Sequence, residues 1–146
     1  MAVIALPVRT RRTTESTVLR AALVAVNRIP GVRATRNNVG KCEVALGEGR
    51  TRWLEYGLGK GSPDVVGIYS LRLPCGEVLA LAFGLEVKRP GARTQRKHAE
   101  EQAAWMLVAT RRGMRCAQVT SAESATLTIL GWIETWRSSV CPSERG

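Results

Sequence analysis

One histidine, one phenylalanine and one aspartate are all that this 146-residue chain holds of those three residue types. Its four cysteines, Cys42, Cys75, Cys116 and Cys141, show no CxxC spacing. With His98 as the sole histidine, neither a structural zinc site nor a disulfide scaffold is expected. Long apolar runs are missing too: nothing approaches the roughly 20 residues that cross a bilayer. The apolar start, Ala2 to Val8, is short, contains Pro7, and precedes its charges Arg9, Arg11 and Arg12. A secretory signal has them in front. The expectation is a soluble cytoplasmic protein, of a bacterium or a phage-infected cell, with no membrane partner.

What is plentiful is positive charge. Twenty-two Lys+Arg stand against 12 Asp+Glu, a formal charge of +10. A polyanion is the expected partner, and nucleic acid is the commonest one. Codon usage in a GC-rich genome would also raise arginine, which outnumbers lysine here. With 45% hydrophobic and 23% charged residues the chain has ordinary globular usage, not that of a disordered basic tail. Its length fits one domain. We read 1–13 as a basic arm, 14–138 as the domain and 139–146 as a tail.

From Thr14 apolar residues recur at helical spacing, with Val18, Ala22 and Val26 on one row and Leu19 and Leu23 on the next. Thr14 suits the N-cap, Glu15 the positive end of the dipole, and Pro30-Gly31 the stop. Asn37-Asn38 and Gly40 are turn chemistry, Cys42 to Leu46 alternates like a strand, and a second strand is expected near Trp53 to Tyr56. Gly57, Gly59, Gly61 and Pro63 mark a tight loop. The pattern GxxxxGK[ST] fails there, because Leu54 stands where its first glycine belongs and Gly61 follows Lys60. No nucleotide cofactor is expected. Val65 to Leu71 and Val78 to Lys88 are strands joined at Pro74-Cys75-Gly76. A helix over about Thr94 to Arg112 would bury Ala99, Ala103, Met106 and Ala109 and stop at Gly113. Arg115 to Thr120 is a strand, and Ser121 caps a last helix with Ala125, Ile129 and Ile133 on its apolar row. The fold class is mixed α/β, with helices flanking a small sheet.

Chemistry concentrates at two strand ends. Asp64 begins one strand, and Glu86 and Lys88 close the next. Residues two apart on a strand share a face, so Glu86 and Lys88 project together while Val87 points to the core. Asp64 precedes Glu86 by 22 residues, close to one out-and-back hairpin, which puts both carboxylates at one end of the sheet. Such hard oxygen ligands suit Mg²⁺ or Mn²⁺. A metal between them polarises a phosphodiester, and the lysine orients the attacking water or offsets charge on the phosphate.

Ser62-Pro63-Asp64-Val65-Val66-Gly67 followed by Leu85-Glu86-Val87-Lys88 resembles the PD-(D/E)XK nuclease superfamily. Gln102, eleven residues before Gly113, and Val119-Thr120-Ser121-Ala122-Glu123-Ser124 narrow the resemblance to the VRR-NUC family, especially its short stand-alone members from phages and bacteria. So do the first helix ending in Pro-Gly and the following Arg36-Asn37-Asn38. The likeness spans about residues 14 to 130. It implies a restriction-endonuclease-like core, α-β-β-β-α-β, with an added C-terminal helix. It also implies a metal-dependent DNA endonuclease, acting on branched structures such as four-way junctions or flaps in repair, replication or phage genome processing. Asp64 and Glu86 would be metal ligands, the Val87 carbonyl a backbone ligand and Lys88 the catalytic lysine. Glu15 resembles the first-helix acid that supports the metal through water, though it equally suits a helix N-terminus. Gln102 matches the family's helical glutamine. The stretch between Lys88 and Gln102 is a few residues longer than usual, which leaves Gln95 as a rival; Gln95, His98 and Gln102 share one helix face.

Lys88 to Lys97 holds five cations and no acid, so Arg89, Arg93, Arg96 and Lys97 suit a phosphate track. A solvated loop and helix start has the same composition. Trp53, Trp105, Trp132 and Trp136 fit core or interface better than base stacking. A homodimer is expected, from the resemblance and from Ile129, Trp132, Ile133 and Trp136 on the last helix; the same four would otherwise pack on the domain's own sheet. Two rival functions stand beside the DNA nuclease: a basic nucleic-acid-binding protein that makes no cut, and an RNA-directed nuclease.

Overall fold

The computed structural model describes residues 14–140; the basic arm with Arg9, Arg11 and Arg12, and Cys141 with the residues after it, lie outside the described residues. The order is α1 (Glu15–Asn27), β1 (Val32–Arg36), β2 (Gly40–Gly47), β3 (Arg50–Tyr56), β4 (Val65–Arg72), β5 (Val78–Val87), α2 (Arg96–Arg111), β6 (Arg115–Val119) and α3 (Ala122–Val140). Strands β1-β4-β5-β6 form one mixed sheet in that order, parallel only between β5 and β6, while β2 and β3 pair apart from it. Setting the β2–β3 hairpin aside leaves α-β-β-β-α-β and a terminal helix, the mixed α/β order expected.

α1 starts where Thr14 caps it, its hydroxyl accepting from the Thr17 N–H at 3.2 Å. It buries Val18, Leu19, Ala22 and Val26. Asn27 then serves the sheet edge: its amide donates to the Ala34 carbonyl at 3.0 Å and accepts from the Ala34 N–H at 3.0 Å. Strand β1, which the reading above omitted, thereby has hydrogen-bond partners on both sides. It is short, with only Val32 and Ala34 buried, and its alternation with Arg33 and Thr35 is the signal that was there to see.

One face of the sheet carries the core. Phe83, Leu85 and Val87 are fully buried on β5, beneath α1 and the α3 residues Ala125, Ile129, Ile133 and Trp136. Each fully buried large side chain contributes about 1.5–3 kcal/mol. Trp136 stacks on Tyr69 with ring centres 6.1 Å apart, and Arg137 donates to the Tyr69 hydroxyl at 2.8 and 3.0 Å. Ile129, Ile133 and Trp136 therefore serve the chain's own core, with Trp132 packed against it, and supply no free face for a second copy. α3 also runs through Val140, two residues into the segment read as tail.

α2 departs further from expectation. It begins at Arg96 rather than Thr94, and the only residue it buries is Gln102. Ala99 and Ala103 are exposed, and Met106 and Ala109 are half-buried. Helical periodicity says which residues share a face, not which face meets the protein, and here a polar residue marks the contact. Among the described residues, no helix is long and apolar enough to cross a membrane, and Cys42, Cys75 and Cys116 are free thiols.

Candidate active site

β4 and β5 pair antiparallel with Val65 opposite Leu85, so Asp64 and Glu86 come to the same end of the sheet. One residue beyond that last pair, the Asp64 carboxylate takes the place of a ladder carbonyl: its Oδ2 accepts from the Val87 N–H at 2.8 Å. The strand partner thus fixes where the carboxylate sits.

The loop before Asp64 is pinned from two sides. Gly61 has φ +82°, and a Cβ there would lie 2.5 Å from the Glu101 carbonyl oxygen on α2. Only glycine permits both the conformation and the approach. From the other side, Asn37 at the end of β1 donates to the Ser62 hydroxyl at 2.8 Å and the Pro63 carbonyl at 2.9 Å, and accepts from Leu58 N–H at 3.2 Å. Its own N–H reaches the Asp64 carbonyl at 2.7 Å. Asn37, read from sequence as turn chemistry, is the clamp of this loop; its role depends on contacts 21 to 26 residues away, which no local pattern reveals.

Phe83, Leu85 and Val87 face the core, so Gly84 and Glu86 face the other way, towards α2. Glu86 is only 2% exposed. Its Oε1 accepts from Lys88 Nζ at 2.5 Å and from Gln102 Nε2. Among the described residues, its Oε2 is buried with no hydrogen-bond partner. Burial pushes the Glu86 carboxyl above the ordinary carboxylate range; the hydrogen bond from Lys88 opposes this, and the nearby Asp64 charge adds to it. A buried carboxylate with one oxygen unsatisfied carries a cost of several kcal/mol in general. A cation at that oxygen would remove it. The residues fit such a group: Asp64 and Glu86 supply carboxylates at one end of the sheet. Among the described residues, no three His, Cys, Asp or Glu converge as a metal cage. Two carboxylates are hard oxygen donors of the kind that Mg²⁺ or Mn²⁺ take together with waters.

Of the two helical glutamines, Gln102 is the one brought to Glu86; Gln95 is exposed at the start of α2, where its side chain makes no capping bond. His98 stands one turn before Gln102, ring Nε2 3.1 Å from the amide Nε2, which joins it to the cluster. Its position on the shared helix face was legible, but a lone surface histidine has the same spacing. Glu15 is exposed and lines a cleft with Lys88 and Arg93 without being drawn into the Glu86 cluster. Lys88, 8% exposed, is held by Glu86.

The basic segment is brought to this end of the sheet. Arg89, Arg93, Arg96 and Lys97 are all exposed, and Arg93 lines the Lys88 cleft. Arg96 is partly occupied by Glu100 at 2.8 Å. The first turn of α2 contains no acid. Cations there oppose the helix dipole, an arrangement that an anion relieves. The chain matches no protein-family model and no curated protein.

Proposed function

We propose that this chain is a metal-dependent DNA endonuclease, a member of the PD-(D/E)XK superfamily akin to the VRR-NUC nucleases, hydrolysing phosphodiester bonds in the cytoplasm. One observation carries the reading: the buried Glu86 carboxylate, with an unsatisfied oxygen, lies in the same cluster as Lys88 and Gln102 and beside Asp64. Buried carboxylates coupled to a nearby charge concentrate at functional sites.

Asp64 and Glu86, with the Val87 carbonyl, would hold Mg²⁺ or Mn²⁺, which when bound supplies Lewis acidity to the phosphodiester and lowers the pKa of water. The Val87 N–H keeps the Asp64 carboxylate in place. Gln102 and Lys88 together fix the Glu86 rotamer, leaving Oε2 free. Lys88 would offset the negative charge that builds on the phosphate during attack. Glu15, on the rim of the Lys88 cleft, acts through water. Arg89, Arg93, Arg96 and Lys97 track the backbone, giving affinity without sequence preference. The family likeness adds branched DNA, four-way junctions or flaps, as substrate.

A homodimer belongs to the same proposal. Its support moves from the buried row of α3 to exposed apolar residues, Leu127 and Leu130 on α3, Ile68 and Val78 on the sheet and Leu107 and Val108 on α2. Light scattering checks it: the expected mass is that of two chains, and one chain at micromolar concentration rejects the dimer.

The test of function is incubation with labelled duplex, four-way junction, flap and RNA, with Mg²⁺ and with EDTA. Cleavage of DNA in Mg²⁺ alone is expected. Binding without cleavage would make this a basic nucleic-acid-binding protein, and cleavage of RNA alone would move the activity to RNA.

A further inference from the structure

A second cleft opens beside the catalytic cluster, between α2 and the base of the β2–β3 hairpin. It has a volume of about 670 Å³, and Asp64, Gln102, Lys60, Arg36 and Tyr56 are among the residues that line it. Its size lies within the usual range for small-ligand pockets, about 300–1,000 Å³. Among the described residues, Asp64 is the only carboxylate on its wall, against the cations Arg36 and Lys60. Lys60 is positioned by an ion pair with Glu101 at 2.8 Å.

Tyr56 on the cleft wall is a surface aromatic. It pairs across the hairpin with Gly40, and its ring lies against the space a side chain there would occupy. A Cβ on residue 40 would come within 2.6 Å of the Tyr56 Cζ, so the phenol end of the ring lies over bare backbone. The ring is thus supported from one side, yet Tyr56 stays 45% exposed and lines the cleft. The next residues, 57–63, are the loop that Asn37 and α2 pin to Asp64, so the platform and the catalytic carboxylate are held on one rigid connection.

We infer that this cleft receives an unpaired nucleotide of the substrate strand, its base stacked on Tyr56 and its phosphates beside Arg36 and Lys60, so that the strand enters the catalytic cluster unstacked. The inference rests on the nuclease reading and adds to it a subsite for one unpaired base. A flat ring open on one side accepts the face of one base. In a duplex both faces of each base are already covered by neighbours, whereas flaps, bubbles and junction branch points offer uncovered ones. The cations beside the ring suit the backbone of that same strand.

The experiment compares wild type, Tyr56→Ala, Tyr56→Phe and Gly40→Ala. Two readouts are taken: the ratio of kcat/KM on a flap to that on a fully paired duplex of the same sequence, in Mg²⁺; and quenching of 2-aminopurine placed at the flap base, in EDTA, where no cutting occurs. Tyr56→Ala should lower the ratio about 5- to 150-fold, the range lost with one stacked base, and abolish the quenching. Tyr56→Phe should keep the quenching, because the ring does the stacking. Gly40→Ala should behave like Tyr56→Ala with the tyrosine still present, since its new methyl displaces the ring. An unchanged ratio and quenching in Tyr56→Ala would overturn the inference while leaving the nuclease intact. Tyrosine-dependent quenching without any Mg²⁺-dependent cleavage would uphold the base site and remove the nuclease.

Discussion

The chain contains two antiparallel hairpins made from very different resources. In β4–β5, Val65, Tyr69, Leu71, Phe83, Leu85 and Val87 are buried, and Asp64 extends the ladder with its own carboxylate. In β2–β3 every residue of β3 is exposed, and β2 buries none. That second hairpin is held by its ladder, a Lys41–Glu55 ion pair and a 2.5 Å hydrogen bond from Thr51 to Glu43. Such surface pairs contribute little, about 0–1 kcal/mol each. The residues of β4–β5 are dictated by the fold around them. Those of β2–β3 are not dictated by burial among the described residues.

If the contrast is right, substitutions in the buried hairpin should remove the chemistry itself, while those in the exposed one should change which DNA is cut and leave cleavage of paired duplex in place. Asp64→Ala, Glu86→Ala and Lys88→Ala should each reduce cleavage by at least about 10²–10³-fold, the scale lost with one electrostatic stabiliser, while DNA affinity stays largely intact. Single-turnover cleavage alongside a binding titration reads both. Stability should divide in the same way. Phe83→Ala is expected to cost about 3–5 kcal/mol in urea unfolding, whereas Trp53→Ala, at a residue 68% exposed, should stay within about 0.5 kcal/mol. A large loss from Trp53→Ala would mean that the outer hairpin is structural after all.

The basic segment sharpens the comparison at the level of binding. Replacing Arg93, Arg96 and Lys97 together with Ala should weaken binding to all DNA sequences alike and shallow the plot of log affinity against log salt by up to about one unit per lost phosphate contact. An unchanged slope returns the segment to a solvated helix start.

The smallest expected effect concerns pH. Burial holds the folded-state Glu86 pKa above its ordinary value of 4.5, so the fold favours the protonated carboxyl. Stability from this group is complete below that ordinary value and is lost as pH rises through the raised one. Metal-free wild type should therefore lose melting temperature over that window, and Glu86→Gln should lose less; the slopes, not the absolute values, carry the comparison, because the variant also leaves Lys88 without its carboxylate. Parallel pH profiles in EDTA would refute the assignment.

Much of the buried half was legible in the sequence. Alternation in Val65 to Leu71 and Val78 to Lys88, with a Pro-Cys-Gly turn between, is enough to place Asp64 and Glu86 at one sheet end, and the structure brings them there. Thr14 as a cap was equally legible, because capping is local. What escaped depends on distant partners. Asn37 binds residues beyond a whole hairpin. Gln102 is the buried face of α2 although hydrophobic patterning favoured Ala99 and Ala103. The apolar row of α3 is consumed by α1 and the sheet, which periodicity alone cannot distinguish from an interface. Tyr56 was legible as a strand residue only; its ring matters because Gly40 lies opposite, and cross-strand register is a tertiary fact.

The central claim is that the unsatisfied Glu86 oxygen, beside Asp64, is a place for a divalent cation. Calorimetric titration of Mn²⁺ into the metal-free protein tests it most directly. Saturable binding to wild type is predicted, weaker at acid pH because Glu86 must first lose its proton, and absent from Glu86→Gln. Equal heats from wild type and Glu86→Gln would contradict the account.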